Sequence, residues 1–155
     1  MIKSIPKLII SIIAPLGAGF IGSFFTTPSI GSWYSKLNKP SFNPPNWVFG
    51  PVWTILYIMM GISFYLVWTS GKKNIKTAII IFAVQLALNL LWSILFFGMH
   101  NPMLAFIEIA LLWISILATI ILFYRISPLA AYLLIPYLLW VSFASALNFA
   151  LWRMN

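Results

Sequence analysis

Few side chains in this sequence could carry chemistry. Its 155 residues include one histidine, His100, one carboxylate, Glu108, and no cysteine. A hydrolytic metal centre draws on three or more such ligands, and an acid–base pair needs two titrating groups. Neither can be assembled, no cofactor is expected, and no disulfide framework exists. What remains are amides and aromatic rings: Gln85, Asn89 and Asn148, with eight tryptophans, six tyrosines and 13 phenylalanines. These groups bind and stack more readily than they transform.

The elements that position them follow from composition. Hydrophobic residues make up 63% of the chain and charged residues 6%, with a mean hydropathy of +1.03. An ordinary globular chain carries about 25% charge, so there is too little polar surface here for a water-facing fold. The expectation is an all-α integral membrane bundle in a single domain. Five hydrophobic segments can each cross a core of about 30 Å at about 1.5 Å per residue. They fall at about 8–26, 47–69, 77–97, 102–124 and 128–152, with a structured cap loop at about 27–46. The first could mimic a secretory signal, but its length favours a retained helix. Asn101-Pro102 and Ser127-Pro128 read as N-cap followed by first-turn proline. Pro15 and Pro136 predict bends.

Lys3, Lys7, Lys72, Lys73, Lys76 and Arg125 fall on one side of this arrangement, and Lys36, Lys39 and Arg153 on the other. The positive-inside rule then puts the N-terminus in the cytoplasm and the cap loop outside. The net charge of +8 is spread beside apolar runs, as lipid-facing lysines are, and does not form the basic face of a nucleic-acid binder.

Helical spacing gathers the polar and aromatic groups into stripes. The second helix aligns Phe49, Trp53, Tyr57, Met60 and Phe64. The third aligns Gln85, Asn89, Trp92 and Phe96, and the fifth Tyr137, Trp140, Ala144 and Asn148. Each amide can be helix–helix glue or part of a site. Interfacial anchoring explains Trp33, Trp47, Trp68 and Trp152 at helix ends better than it explains Trp53, Trp92 and Trp140. A ring-lined cavity with few polar groups suits a flat hydrophobic ligand. Glu108 reads as a carboxylate near the interface, favoured by the helix N-terminus; a proton relay would lack a second partner. His100 reads as a solvated loop residue in preference to an axial haem ligand. Two small-residue stripes could each serve a dimer, Ala14-Ala18-Gly22 and Ser142-Ala146-Ala150.

Several stretches together resemble the translocator protein family, also known as tryptophan-rich sensory proteins or peripheral-type benzodiazepine receptors. They are Trp33-Tyr34-x-x-Leu37-x-Lys39-Pro40-x-Phe42-x-Pro44-Pro45, Phe49-x-Pro51-Val52-Trp53-Thr54-x-Leu56-Tyr57, Gln85-Leu86-x-Leu88-Asn89-x-x-Trp92 and Pro136-Tyr137-x-x-Trp140 through Leu147-Asn148. The resemblance implies a five-helix bundle, usually a homodimer, that binds porphyrins, sterols and benzodiazepine-type drugs. It puts Trp53 and Trp140 against the ligand, Asn89 as a polar contact, and Tyr34 and Pro45 in a lid. Phe49, Tyr57, Gln85, Trp92 and Ala144 complete the implied ligand-binding set. Bacterial relatives, similar in lacking cysteine, are described as promoting light-dependent breakdown of protoporphyrin IX; that would give Trp53 and Trp140 a photochemical role and place the chain in a bacterial cell membrane. The alternative is a transporter of porphyrins or lipids. Phe149 stands where the proposed cholesterol motif of animal relatives needs a tyrosine, so the resemblance does not extend to specific cholesterol handling.

Overall fold

The computed structural model describes all 155 residues. It is all-helical, with five helices long and apolar enough to cross a membrane: α1 (Ile5–Ile30), α2 (Asn46–Trp68), α3 (Lys76–Ser93), α4 (Pro102–Ile126) and α5 (Pro128–Met154). A π-turn, Ile94–Gly98, continues α3. The bundle is a ring in which α1 packs on α2, α2 on α5, α5 on α4, α4 on α3 and α3 back on α1. Ile9, Ile13, Phe20 and Phe24 of α1 and Ile107, Leu111, Ile114 and Ile121 of α4 are exposed. Such apolar outward faces belong in lipid, and the protein is an integral membrane protein.

Side chains set the helix starts. Ser4 Oγ accepts from Lys7 N–H, Asn101 Oδ1 from Leu104 N–H at 3.0 Å, and Ser127 Oγ from Ala130 N–H. In each case a proline in the first turn gives up no needed donor. α1 runs beyond its expected 8–26 at both ends. Pro28 does not stop it, because a proline deprives only the carbonyl one turn back of its donor. The added turn is anchored where Ser29 Oγ donates to Phe97 O at 2.7 Å. α4 and α5 each run two residues past the expected 124 and 152. The cap loop is accordingly shorter than 27–46, spanning residues 31–45 around a short 3-10 turn, Tyr34–Lys36.

The two ends of the ring pack differently. At the end bearing Lys3 and Lys72, Tyr65 Oη accepts from the N–H groups of Lys3 and Ser4 at 2.8 and 3.1 Å. Ser63 Oγ donates to Ala130 O at 2.7 Å. Phe64, Phe82 and Phe123 stack in sequence, with centroids 4.9 and 5.7 Å apart. Here α1 presses directly on α2. A Cβ on Gly61 would lie 2.6 Å from Ile12 Cα and 2.7 Å from Ser11 O, the carbonyl that Pro15 leaves without its usual donor. Only glycine permits that crossing.

Gly22 also faces inward, since its Cβ would sit 3.2 Å from Ser93 Oγ on α3. The Ala14-Ala18-Gly22 stripe is therefore partly used within the chain. Glu108 departs from the expected interfacial carboxylate. It is 5% exposed and neither oxygen has a hydrogen-bond partner. The reason is phase: Ala105, Glu108, Leu112 and Ile116 share the inward face of α4.

Candidate functional site

At the cap-loop end the helices separate around a cavity of about 610 Å³ to which all five contribute. Eighteen of its 29 lining residues are hydrophobic, so its occupant must be largely apolar. α2 supplies Phe49, Trp53 and Tyr57; the α3 segment supplies Asn89, Trp92 and Phe96; α5 supplies Trp140, Ala144 and Asn148. Those stripes were legible from helical spacing, and the fold brings them to one wall each.

The rings brace one another. Trp53 stacks on Tyr57 at 5.5 Å between centroids and meets Tyr137 edge-on at 6.2 Å. Trp140 meets Phe49 edge-on at 6.1 Å, and Trp92 stacks on Phe96 at 4.9 Å. Such pairs contribute about 0.5–1.5 kcal/mol each beyond burial, and they hold large flat faces toward the cavity.

The polar groups form a buried relay. Tyr57 Oη donates to Asn89 Oδ1 at 2.7 Å, Asn89 Nδ2 donates to Tyr137 Oη at 2.9 Å, and Tyr137 Oη donates to Gln85 Oε1 at 2.9 Å. A second pairing has Trp92 Nε1 donating to Asn148 Oδ1 at 2.9 Å, while Asn148 Nδ2 donates to Pro102 O at 2.8 Å. In hydrocarbon these bonds fix the amides in single orientations. Trp140 differs: its Nε1 is buried, has no partner and belongs to a ring that lines the cavity. An unpaired buried donor costs about 1–3 kcal/mol, which an acceptor on a bound molecule would offset.

Two expected site residues lie elsewhere. Gln85 is 1% exposed and sits outside the lining, where it holds the Tyr137 hydroxyl. Pro45 is exposed at the start of α2 and does not reach the cavity. Of the cap loop, only Tyr34 closes over it. Tyr34 is 3% exposed, donates from Oη to Asn43 Oδ1 at 2.8 Å and carries Lys39 Nζ 4.9 Å from its ring centre. Burial raises its phenol pKa above the ordinary value, opposed in part by the Asn43 bond.

The cap is tied down at both flanks. Asn38 N–H donates to Asn155 Oδ1 and Asn155 Nδ2 to Asn38 O, each at 2.9 Å. His100, exposed as expected of a loop residue, does more than face solvent. At φ 52° it lays its ring on Trp33, with centroids 4.5 Å apart and planes 10° apart, while Nε2 lies 3.2 Å from Ser29 Oγ.

Sequence reasoning missed the contribution of α1. Leu16, Gly19, Ser23, Thr26 and Ile30 all line the cavity. Small and hydroxyl residues at positions 19, 23 and 26 were the available signal, overshadowed by the Ala14-Ala18-Gly22 spacing.

Comparison with known proteins bears on this arrangement. Residues 11–153 match the TspO/MBR family. The chain is 49% identical over 152 residues to the tryptophan-rich protein TspO of Archaeoglobus fulgidus, covering 98% of this chain and 99% of that one. It is 51% identical over 158 residues to the tryptophan-rich protein TspO of Chlorobaculum tepidum, covering 100% and 99%. It is also 41% identical over 146 residues to the human translocator protein, covering 92% and 86%.

Proposed function

Because the chain belongs to the TspO/MBR family, we propose that it is a membrane receptor or sensor that holds a tetrapyrrole such as protoporphyrin IX in the aromatic cavity. The observation that carries this reading is the cavity itself. Its volume of about 610 Å³ falls within the roughly 300–1,000 Å³ of small-molecule sites. Trp53, Trp92 and Trp140 give stacking faces, Asn89 a polar contact, and the unpartnered Trp140 Nε1 a donor for a carboxylate or carbonyl of the ligand. Other flat apolar molecules, benzodiazepine-type or sterol-like, meet the same surfaces.

Light would add a reaction at this site. An excited porphyrin against Trp53 or Trp140 takes one electron from the indole, giving an indole radical cation and a porphyrin radical anion, with dissolved dioxygen as the final oxidant. The step uses no acid, base or metal. The orientation that accompanies this reading puts the lysine-rich end of Lys3 and Lys72 in the cytoplasm of a bacterial cell. A homodimer would use the outward Ser142-Ala146-Ala150 face, which the internal packing of the bundle leaves free.

The test is a dark titration of purified protein with protoporphyrin IX, followed by tryptophan quenching, then illumination while the Soret band is recorded. Saturable binding is expected in the wild type and in the Trp53→Phe/Trp140→Phe double variant, with Soret loss slowed at least about tenfold in the double variant, a barrier increase of about 1.4 kcal/mol. Equal Soret loss in both would sink the indole role, and no saturation in the wild type would sink the receptor reading.

A further inference from the structure

The cavity has a mouth, and it opens to the side. α1 touches α2 closely only in the half of the bundle below Tyr57, at Gly61 and again where Gly19 lies against the Tyr57 ring. Beyond Gly19 it leaves α2 and follows α3. A Cβ on Gly22 would meet Ser93 Oγ at 3.2 Å, and one on Gly98 would meet Phe25 Cδ1 at 2.9 Å. α2 meanwhile stays against α5. The two helices therefore part like the blades of scissors around the Gly19–Tyr57 crossing.

The edges of the gap are Phe20, Ser23 and Thr27 on α1, and Trp47, Gly50 and Thr54 on α2. All six line the cavity, and all but Ser23 are also exposed on the outside of the bundle. Residues that belong to both surfaces mark an opening. Gly50 keeps one edge low, since a Cβ there would have no neighbour within 4 Å. The rim is also suited to lipid. Ser23 Oγ donates to Phe20 O at 2.6 Å and Thr54 Oγ1 to Gly50 O at 2.8 Å, so both hydroxyls are satisfied on their own helices.

The aqueous face offers no comparable way in. Tyr34 covers the cavity there, and the cap is held by the paired Asn38–Asn155 bonds and by the Trp33–His100 stack. We infer that the hydrophobic ligand enters and leaves from the bilayer, sideways through the α1–α2 window, and that Ser23 and Thr54 stand on opposite sides of the gate. This rests on the reading that the cavity binds such a ligand. Because the occupant partitions into the membrane first, its local concentration and not its aqueous solubility governs encounter.

A gate that does not touch the bound ligand changes the rates in both directions and leaves the equilibrium alone. The experiment is stopped-flow tryptophan quenching on protein reconstituted in phosphatidylcholine vesicles preloaded with protoporphyrin IX, in the dark. Off-rates come from dilution into empty vesicles. Thr54→Trp from one edge and Ser23→Trp from the other are each expected to lower kon and koff together by about tenfold, leaving Kd unchanged. Asn38→Ala, which loosens the cap, is expected to leave both rates unchanged. Unaltered rates in both tryptophan variants overturn the window. So does a raised Kd at constant kon, which would make these residues part of the site wall, or faster exchange in Asn38→Ala, which would put the route through the cap. No saturable binding by the wild type would overturn the receptor reading instead.

Discussion

The two halves of this bundle are built from the same five helices and put them to opposite uses. In the half bearing Lys3 and Lys72, every gap is filled: Gly61 admits the backbone of Ile12, Ser63 bonds Ala130 O, and three phenylalanines stack through the centre. In the half under the cap loop, the rings stand around a space. Composition does not separate them, since both are apolar and aromatic. What differs is how each ring is placed. Phe82 and Phe123 lie face to face and consume each other's surface, whereas Trp140 meets Phe49 edge-on and keeps a face free. The filled half supplies the rigidity that lets the other half stay open, because apolar walls in lipid gain nothing from collapsing that lipid contact would not also give.

If that division holds, damage to the filled half should reduce stability and spare the cavity. Phe82→Ala is expected to have the largest effect, a loss of about 3–5 kcal/mol from the vacated core. Thermal unfolding in detergent would measure it, and the Kd for protoporphyrin IX should not change at temperatures where the variant is folded. Weakened binding there would mean that the halves are coupled. Gly61→Ala comes next, at about 1–3 kcal/mol, because the new Cβ meets backbone that cannot rotate away. The same unfolding assay reads it, and wild-type stability would show that the α1–α2 crossing can slide. Tyr137→Phe is the smallest and the most informative, since Tyr137 joins the halves by bonding both Asn89 and Gln85. Its expected cost is about 1 kcal/mol of stability. It should also weaken porphyrin binding by freeing Asn89, measured by the same dark titration.

Much of this was visible in the residues themselves. The five spans follow from hydropathy, and Phe49, Trp53, Tyr57, Asn89, Trp92, Trp140 and Ala144 all reach the cavity as their stripes imply. Helical phase says which residues share a face, but it cannot say how far along the helix the face is covered. That is why Gln85, one turn from Asn89 on the same stripe, ended up behind the wall. Glu108 was misjudged for a related reason. Its distance from the helix start was legible, but the direction it faces depends on how α4 packs on α3 and α5. Pro45 failed differently, since a proline-rich loop reveals rigidity without revealing which of its residues hangs over the cavity. The α1 wall was hidden because small residues look alike whether they admit a neighbouring helix or leave room for a ligand.

The π-turn at the end of α3 has a consequence of its own. Met99 N–H reaches back to Ile94 O at 2.8 Å and Asn101 N–H to Leu95 O at 3.1 Å, so the turn holds one residue more than an α-helix would. In frame terms it is a one-residue insertion, and an α-helix advances about 100° per residue. Everything downstream is rotated by that much relative to the Gln85–Trp92 stripe. The rotation is what lets Phe96 continue that stripe against Trp92 while Phe97 turns aside, presenting its carbonyl to Ser29 and leaving His100 over Trp33. A single-residue deletion between Ile94 and Gly98 would restore a regular helix and put the clasp out of phase with the cap it holds. Spacing in this segment is thus a setting of angle, and length variation that a loop would absorb would here turn the lid away from its cavity.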